Sequence, residues 1–587
     1  MKAYYYYLLP ILFCCISCSG PQKEAADLIL FNGEIYTMEE AQPWATAIVI
    51  KENKIVAVLD KAADPAAYQG KETQMIDLQG KFALPGFIDG HTHFNRAGEL
   101  INDANLLKVS DDPGLKAEIG RVVNILEKGE WITGGLWGAY EQWADASATA
   151  SGAKKQAWKP HKGVIDEISA EHPVFINNYN RQLYLANSMA LQAAGLEAEI
   201  LEGMETDEEG RATGLVYANS PAFKKIKESI KEKSSRRLLD ENKAALKVLR
   251  ESGIVEIHDI TRPDQTERFQ ELYESGELTA RIWMRPDLAR AQEMKDAGMS
   301  MGVNPASKKE DTYLRYGAFK GYIDGIMGNH GALFFEPYDD QPDNYGHYRH
   351  HTSDDEDYAT PNMEKMYGYL LTAQEAGFVA NVHAIGTRGV SLMLDTYERL
   401  MKDLGKDLSG YRVIHAQVIR PDDFPRFKEL NVIAEINPYH LSDDMRWMEE
   451  RIGHERCKGA YAFKSLLDNG ASLSFGSDWP GTMAAYYHVH PKYLIHAAVN
   501  RTTTSGQPEG GWFPEQKISM EEALKAYTIN NAKAAFDGDS RGSIKAGKLA
   551  DIVVCDKNLM KIDPAEILDM EVEMTIVDGK IVFERNQ

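Results

Sequence analysis

The strongest constraint on this chain is a series of eight short apolar segments spread through its middle, separated by stretches with helical periodicity. They lie at residues 87–93, 254–260, 280–284, 317–323, 378–383, 412–415, 432–436 and 472–475. Residues 363–376 and 465–469 are among the helical stretches between them. Strand and helix alternating eight times predict an α/β fold, a (β/α)8 TIM-type barrel rather than an open sheet. The gap between the first and second segments far exceeds one crossover helix. Residues from about 95 to 235 are therefore expected to form an insertion over the barrel mouth.

Both ends of the chain have a different character. Residues 27–84 carry short β-rich runs broken by turn residues, and residues 540–587 read the same way. Val577-Asp578-Gly579-Lys580 is a strong hairpin signal. The expected organisation is one small β-sandwich assembled from 27–84 and 540–587, enclosing a catalytic barrel at 85–539.

The first residues resemble an export signal. Lys2 is followed by an apolar run from Tyr4 to Cys15, too short for a mature membrane span. Ile16-Ser17-Cys18 then resembles a bacterial lipobox. This predicts a signal peptide at 1–17, lipidation of Cys18 and a polar tether at 18–26. A plain secretory signal cut slightly later is the alternative. The expected location is thus a bacterial membrane, on the periplasmic or cell-surface side, with the lipid as sole membrane contact. The formal net charge of -23 argues against nucleic acid or anionic membrane as a ligand. The expected partner is a small-molecule substrate, and a homodimer is left open. Of the 5 cysteines, Cys457 and Cys555 are the two beyond the leader and show no metal-type pairing. Cys457 is read as a packing residue.

Polar residues recur at the C-terminal ends of the predicted strands, where barrel enzymes place their catalytic groups. His91 and His93 end the first, Lys320 lies in the fourth, His383 ends the fifth and His415 the sixth, and Asp478 follows the eighth. Residues two apart on a strand face the same side, so His91 and His93 can both point inward. Imidazoles with a carboxylate make a nitrogen and oxygen set suited to Zn²⁺ or a similar divalent ion. On ligand type, His91, His93, His383 and Asp478 are the expected core of a metal site.

Pro85-Gly86-Phe87-Ile88-Asp89-Gly90-His91-Thr92-His93, Val382-His383-Ala384-Ile385-Gly386, Ile414-His415-Ala416 and Gly476-Ser477-Asp478-Trp479-Pro480 together resemble the amidohydrolase superfamily. The match is to its family 3 branch, which includes N-substituted formamide deformylases. The segment 542–551 fits as well, so the likeness covers nearly the whole mature chain. The resemblance implies that His91, His93 and Asp478 bind one ion, and that His383 and His415 bind a second. It also implies that Lys320 is carboxylated and bridges the two; a lysine paired with Asp324 or another acid is the alternative. Zinc is the default, with one or two ions per chain. The implied chemistry is attack by an activated water on an amide-like carbonyl, with Asp478 as general base and then acid.

Three positions depart from relatives. Gly386 stands where the deaminases carry an acid. Gln182 replaces a common histidine, and Ala218 a common Glu. Trp137, Gln182, Tyr439 and His440 are candidate substrate contacts, with packing as the alternative for the aromatics. His258-Asp259 is read as a buried structural pair, and the lysines of 224–233 as a solvated face. The expected function is hydrolysis of an amide, formamide, carbamate or N-acyl amine. A lactone, ester or cyclic imide hydrolase, and a non-catalytic binding lipoprotein, are the alternatives.

Overall fold

A computed structural model of the chain describes residues 24–138, 158–179, 181–355, 358, 360–481 and 487–585. Cys18 and the expected signal peptide lie outside the described residues. Ala26, placed in the tether by the sequence, is already part of the fold. It is buried, and its N–H donates to Tyr68 O at 2.9 Å.

The middle of the chain carries eight strands that pair in parallel with their neighbours. They are β1 (Phe87–Thr92), β2 (Ile254–Ile260), β3 (Arg281–Arg285), β4 (Leu314–Tyr316 and Phe319–Tyr322), β5 (Ala380–Ala384), β6 (Arg412–His415), β7 (Ile433–Ile436) and β8 (Leu473–Phe475). One sheet runs from β1 to the first half of β4, the other from its second half to β8. Two seams join them. Lys320 N donates to Pro286 O at 2.8 Å beside a parallel bridge of Asp287 with Lys320. Thr92 bridges Trp479, with Asp478 N on His91 O and His93 N on Trp479 O, each at 2.8 Å. The break in β4 falls at Gly317, where a Cβ would stand 2.2 Å from the Trp283 ring.

Every residue of β1 is buried, including its polar ones. Such a strand is stable when its polar groups find partners. Asp89 does so by accepting from His91 N, Ser477 N and Tyr527 Oη at 3.0, 2.9 and 2.7 Å. The predicted helices appear as Met363–Glu375 and Phe463–Asp468, their buried faces packed on the central core. Cys457 is fully buried in that core.

The two chain ends meet in two sheets. Leu28–Phe31, Ala47–Lys51, Lys54–Leu59 and Gln74–Asp77 form one. The other joins N-terminal strands, among them Phe82–Pro85, to Ile552–Cys555, Val572–Val577 and Lys580–Glu584. They share one apolar core that includes Leu30, Ile48, Ala83, Ile552 and Ile576. Each leucine or isoleucine among them contributes roughly 1.5–3 kcal/mol on burial. The predicted hairpin is present, with Asp578 and Gly579 at φ +54° and +76° opposite the Val577–Lys580 pair. Arg281, on β3, is fully buried and locks this layer to the parallel strands. Its Nε lies 2.8 Å from Asp551 Oδ2 and its Nη2 2.7 Å from Asp578 Oδ1.

Between β1 and β2 the chain builds a separate six-stranded sheet, from Ala104–Asn105 to Ala212–Tyr217, with apolar clusters of its own. Arg237 ties it down by donating to Asp103 Oδ2 at 2.8 Å and Trp131 O at 2.7 Å.

Two expectations need correction. His258 and Asp259 do not pair, because neighbouring residues of a strand face opposite ways. His258 Nδ1 is 3.0 Å from Arg412 Nη1, whereas Asp259 accepts from Phe94 N at 2.7 Å and Thr92 Oγ1 at 3.1 Å. Of the lysines in 224–233, Lys233 is turned inward and pairs with Glu241 at 2.8 Å, while Lys224, Lys225, Lys227 and Lys231 are exposed.

Candidate metal centre

The C-terminal ends of β1, β4, β5 and β6 and the segment after β8 bring their polar residues to one place. Asp478 sits at its focus. Oδ1 lies 3.1 Å from His93 Nε2 and 3.5 Å from His91 Nε2, and Oδ2 lies 3.5 Å from His440 Nε2. The rings of His91 and His415 approach to 5.2 Å, and those of His383 and His415 to 4.5 Å. Local backbone strain aims these groups. His415, Ala416 and Asp478 have φ of +69°, +40° and +56°, a region that costs a non-glycine residue on the order of 1 kcal/mol or more. Gly476 permits the close approach, since a Cβ there would stand 2.5 Å from His91 Cβ.

Electrostatics keep the ligand atoms available. Burial, then the nearby Lys320, hold His91 and His383 well below the usual imidazole range. Burial, then His383 and Lys320, do the same to His415. Neutral imidazoles are the form that binds a cation. Burial alone would raise the Asp478 carboxyl, but the hydrogen bond from His93 and the fields of His91, His93 and His440 keep it well below the carboxylate range. Lys320 is buried, with Nζ 5.0 Å from the Tyr322 ring, and burial pushes its amine down to about 7. It does not pair with Asp324, which instead accepts from Leu333 N and Gly386 N, both at 2.9 Å.

A metal ion fits this donor set. His91, His93 and Asp478 offer ligand atoms within 4.8 Å of one another, and so do His415, His440 and Asp478. The Nε2 atoms of His91 and His440 are buried with no hydrogen-bond partner. An unpaired polar atom is costly in a buried site, and an ion supplies what it lacks. The second group brings in His440, expected to touch substrate, rather than His383. His383 Nε2 lies 3.4 Å from Asp324 Oδ1.

The other sequence candidates are more scattered. Tyr439 joins an aromatic cluster, 5.3 Å from the His488 ring and 5.8 Å from that of Tyr493. Gln182 is exposed in the loop between two insertion strands, its N–H donating to Asn178 Oδ1. Trp137 is buried in the insertion's own apolar cluster with Leu106 and Ile119, the packing alternative. A cavity of about 410 Å³ opens behind Trp479, lined by Leu100, Lys108 and Glu118 among others, and holds none of the site histidines.

Sequence reasoning missed the layer behind the ligands. Glu435 of β7 is fully buried, 2.8 Å from His91 Nδ1, and accepts from Arg285 at 2.6 Å and Arg412 at 2.9 Å. Asn437 Oδ1 lies 2.7 Å from His415 Nδ1. These contacts fix each ring so that Nε2 faces the centre. The available signal was Glu435 itself, an acid inside the apolar run Ile433–Ile436.

Comparison with known proteins identifies the family. Residues 74–583 match the model of the amidohydrolase family. The chain is 30% identical over 583 residues to Protein LONG AFTER FAR-RED 3 of Arabidopsis thaliana, covering 97% of this chain and 93% of that protein. It is 24% identical to N-substituted formamide deformylase of Arthrobacter pascens, covering 95% and 98%. In fold it is similar to an uncharacterized metal-dependent hydrolase from Pyrococcus horikoshii OT3, with a TM-score of 0.70, 22% identity, and 92% and 99% coverage. The chain belongs to amidohydrolase family 3 and is an amidohydrolase.

Proposed function

We propose that this enzyme hydrolyses a small amide-like C–N bond, in an amide, formamide, carbamate or N-acyl amine, at a divalent metal centre. The observation that carries the reading is the convergence of His91, His93 and His440 on Asp478, with His415 and Lys320 beside them. The name of the formamide deformylase relative supports the choice of bond.

His91, His93 and Asp478 would hold one ion, and His415 would hold a second with His383, as the family resemblance implies, or with His440, which shares its donor group, while Lys320 beside them would serve both. Zinc suits the nitrogen and oxygen donors. When bound, such ions lower the pKa of a coordinated water and polarise the substrate carbonyl. Lys320 becomes a ligand when its neutral amine adds to carbon dioxide, forming an N–C bond and releasing a proton. Its amine, brought down to about 7, makes the neutral form accessible at ordinary pH. Asp478 takes a proton as the water oxygen bonds to the carbonyl carbon. It then delivers that proton to the nitrogen as the C–N bond breaks. His440 and Tyr439 line the substrate side, where specificity is set.

The frame for this chemistry is a closed (β/α)8 barrel over 85–539, supported by the parallel pairings and the two seams. Residues 27–84 and 540–585 form the β-sandwich, and 95–235 the insertion over the mouth. Cys18 carries a lipid, and the chain faces the periplasm or cell surface. A Cys18→Ser chain released from membranes into the soluble fraction supports that location, and one retained there overturns it.

The test of function is metal content and activity of the mature protein beside His91→Asn and Lys320→Ala, on a panel of N-formyl and N-acyl amines with lactones as contrast. About two ions per chain, fewer in both variants, with turnover of the amines, is the expected result. Turnover of lactones alone moves the bond to an ester, and no metal under any loading condition overturns the hydrolytic reading.

A further inference from the structure

A second group of ligand-type side chains stands beside Tyr322. Asp287 follows β3, and His350 and His351 lie in the turn that packs on the end of β4. His351 Nε2 is 3.1 Å from Asp287 Oδ1, and His350 Nε2 is 3.6 Å from Oδ2. One ligand atom from each residue lies within 4.8 Å of the others. The Tyr322 ring is 5.9 Å from His351, 5.8 Å from His350 and 5.6 Å from His383, so the group neighbours the main centre while sharing none of its residues.

The arrangement is held in advance. Consecutive side chains of an extended chain point apart, yet these two imidazoles approach to 3.8 Å. A turn brings them together. Thr352 N donates to Arg349 O at 2.8 Å, and Thr352 Oγ1 to Ile323 O at 2.9 Å, which pins the turn to the strand end. Asp287 is held by Ala289 N, which donates to the same Oδ1 at 2.8 Å. His351 is fully buried, with Nε2 turned to Asp287. Asp287 and His350 keep 40% and 42% of their side chains exposed, which leaves an ion a way in and open positions for water.

We propose that Asp287, His350 and His351 hold a further divalent transition-metal ion, separate from those at Asp478. Two imidazoles and one carboxylate form the three-ligand set that Zn²⁺ and its neighbours accept with water completing the shell. The site does not depend on the reading of the reaction.

The test compares two pairs of full-length mature chains, loaded with Zn²⁺, desalted and measured for metal by mass spectrometry. The first pair is wild type and His350→Ala. The second is His91→Asn and the double variant His91→Asn/His350→Ala, in which the main centre is already impaired. His350 is half-buried and lies outside the core, so its removal leaves the core intact, and circular dichroism checks this. The expected result is a loss of about one ion per chain within each pair. Equal metal content within both pairs overturns the proposal, whatever the main centre holds.

Discussion

His91 Nδ1 and Glu435 Oε1 stand 2.8 Å apart, and the same carboxylate receives Arg285 and Arg412. Burial would raise the Glu435 carboxyl, but the two guanidinium groups and His91 hold it well below its usual range. Glu435 is therefore an anion at working pH, and it sets which nitrogen of His91 faces inward. Glu435→Gln is expected to weaken Zn²⁺ binding by roughly 10–100-fold, read by competition with a chromophoric chelator. Glu435→Ala goes further, leaving two buried cations short of a partner, at a cost of about 3–5 kcal/mol in thermal stability. An unchanged metal affinity in Glu435→Gln would show that the strand alone orients His91.

Asp478→Asn keeps the shape and removes the base. We expect kcat to fall by about 10²–10⁴-fold in a chain that still folds, the range for a positioned proton carrier. Steady-state kinetics on a formamide substrate checks it. A fall of less than about tenfold assigns the proton to another group.

Lys320 offers a pH-dependent test. Its amine is pushed down to about 7 by burial, so the neutral form grows as pH rises through 7. Reconstitution of the metal-free enzyme with Zn²⁺ and bicarbonate is expected to improve between pH 6 and pH 8, and to fail in Lys320→Ala. A short carboxylate such as propionate should restore part of the activity of that variant. Equal loading with and without bicarbonate at every pH rules out the carbamate.

Asp444 bears on stability rather than catalysis. It is buried, accepts from Tyr461 Oη at 2.5 Å and Gln417 Nε2 at 2.7 Å, and burial pushes it up to about 7 from 3.8. A carboxyl whose folded pKa is raised stabilises fully below its unfolded pKa and loses that contribution as pH rises through the folded value. Wild type should therefore lose stability relative to Asp444→Asn between about pH 4 and pH 7, by a few kcal/mol at most. Paired melting curves across that window read the difference. Parallel curves would mean that Asp444 stays ionised throughout.

The strands were legible because period and burial coincide. Segments 254–260 and 412–415 have the predicted bounds, and β1 ends one residue short of the prediction. His91 and His93 are adjacent in type and spacing, and their meeting with Asp478 follows once the strand ends are aligned. The insertion's six-stranded sheet was not legible. Its strands are as short as Ala104–Asn105, and its order depends on long-range pairing that no local pattern encodes. Glu435 escaped notice for a related reason. A buried acid is chemically sensible only beside Arg285 and Arg412, which lie on other strands. The same holds for His350 and His351, whose partner Asp287 is 64 residues from His351 in sequence.

Arg281 gives the chain a direction in time. Its carboxylate partners are synthesised 270 and 297 residues later. At roughly 5–20 residues per second, that delay is tens of seconds on a ribosome. Throughout it, the third strand carries a cation that the finished enzyme seals away from water. The emerging polypeptide cannot complete its base early, and a product truncated before Asp551 never can. Such fragments leave the Arg281 guanidinium without the two carboxylates that neutralise it in the finished fold.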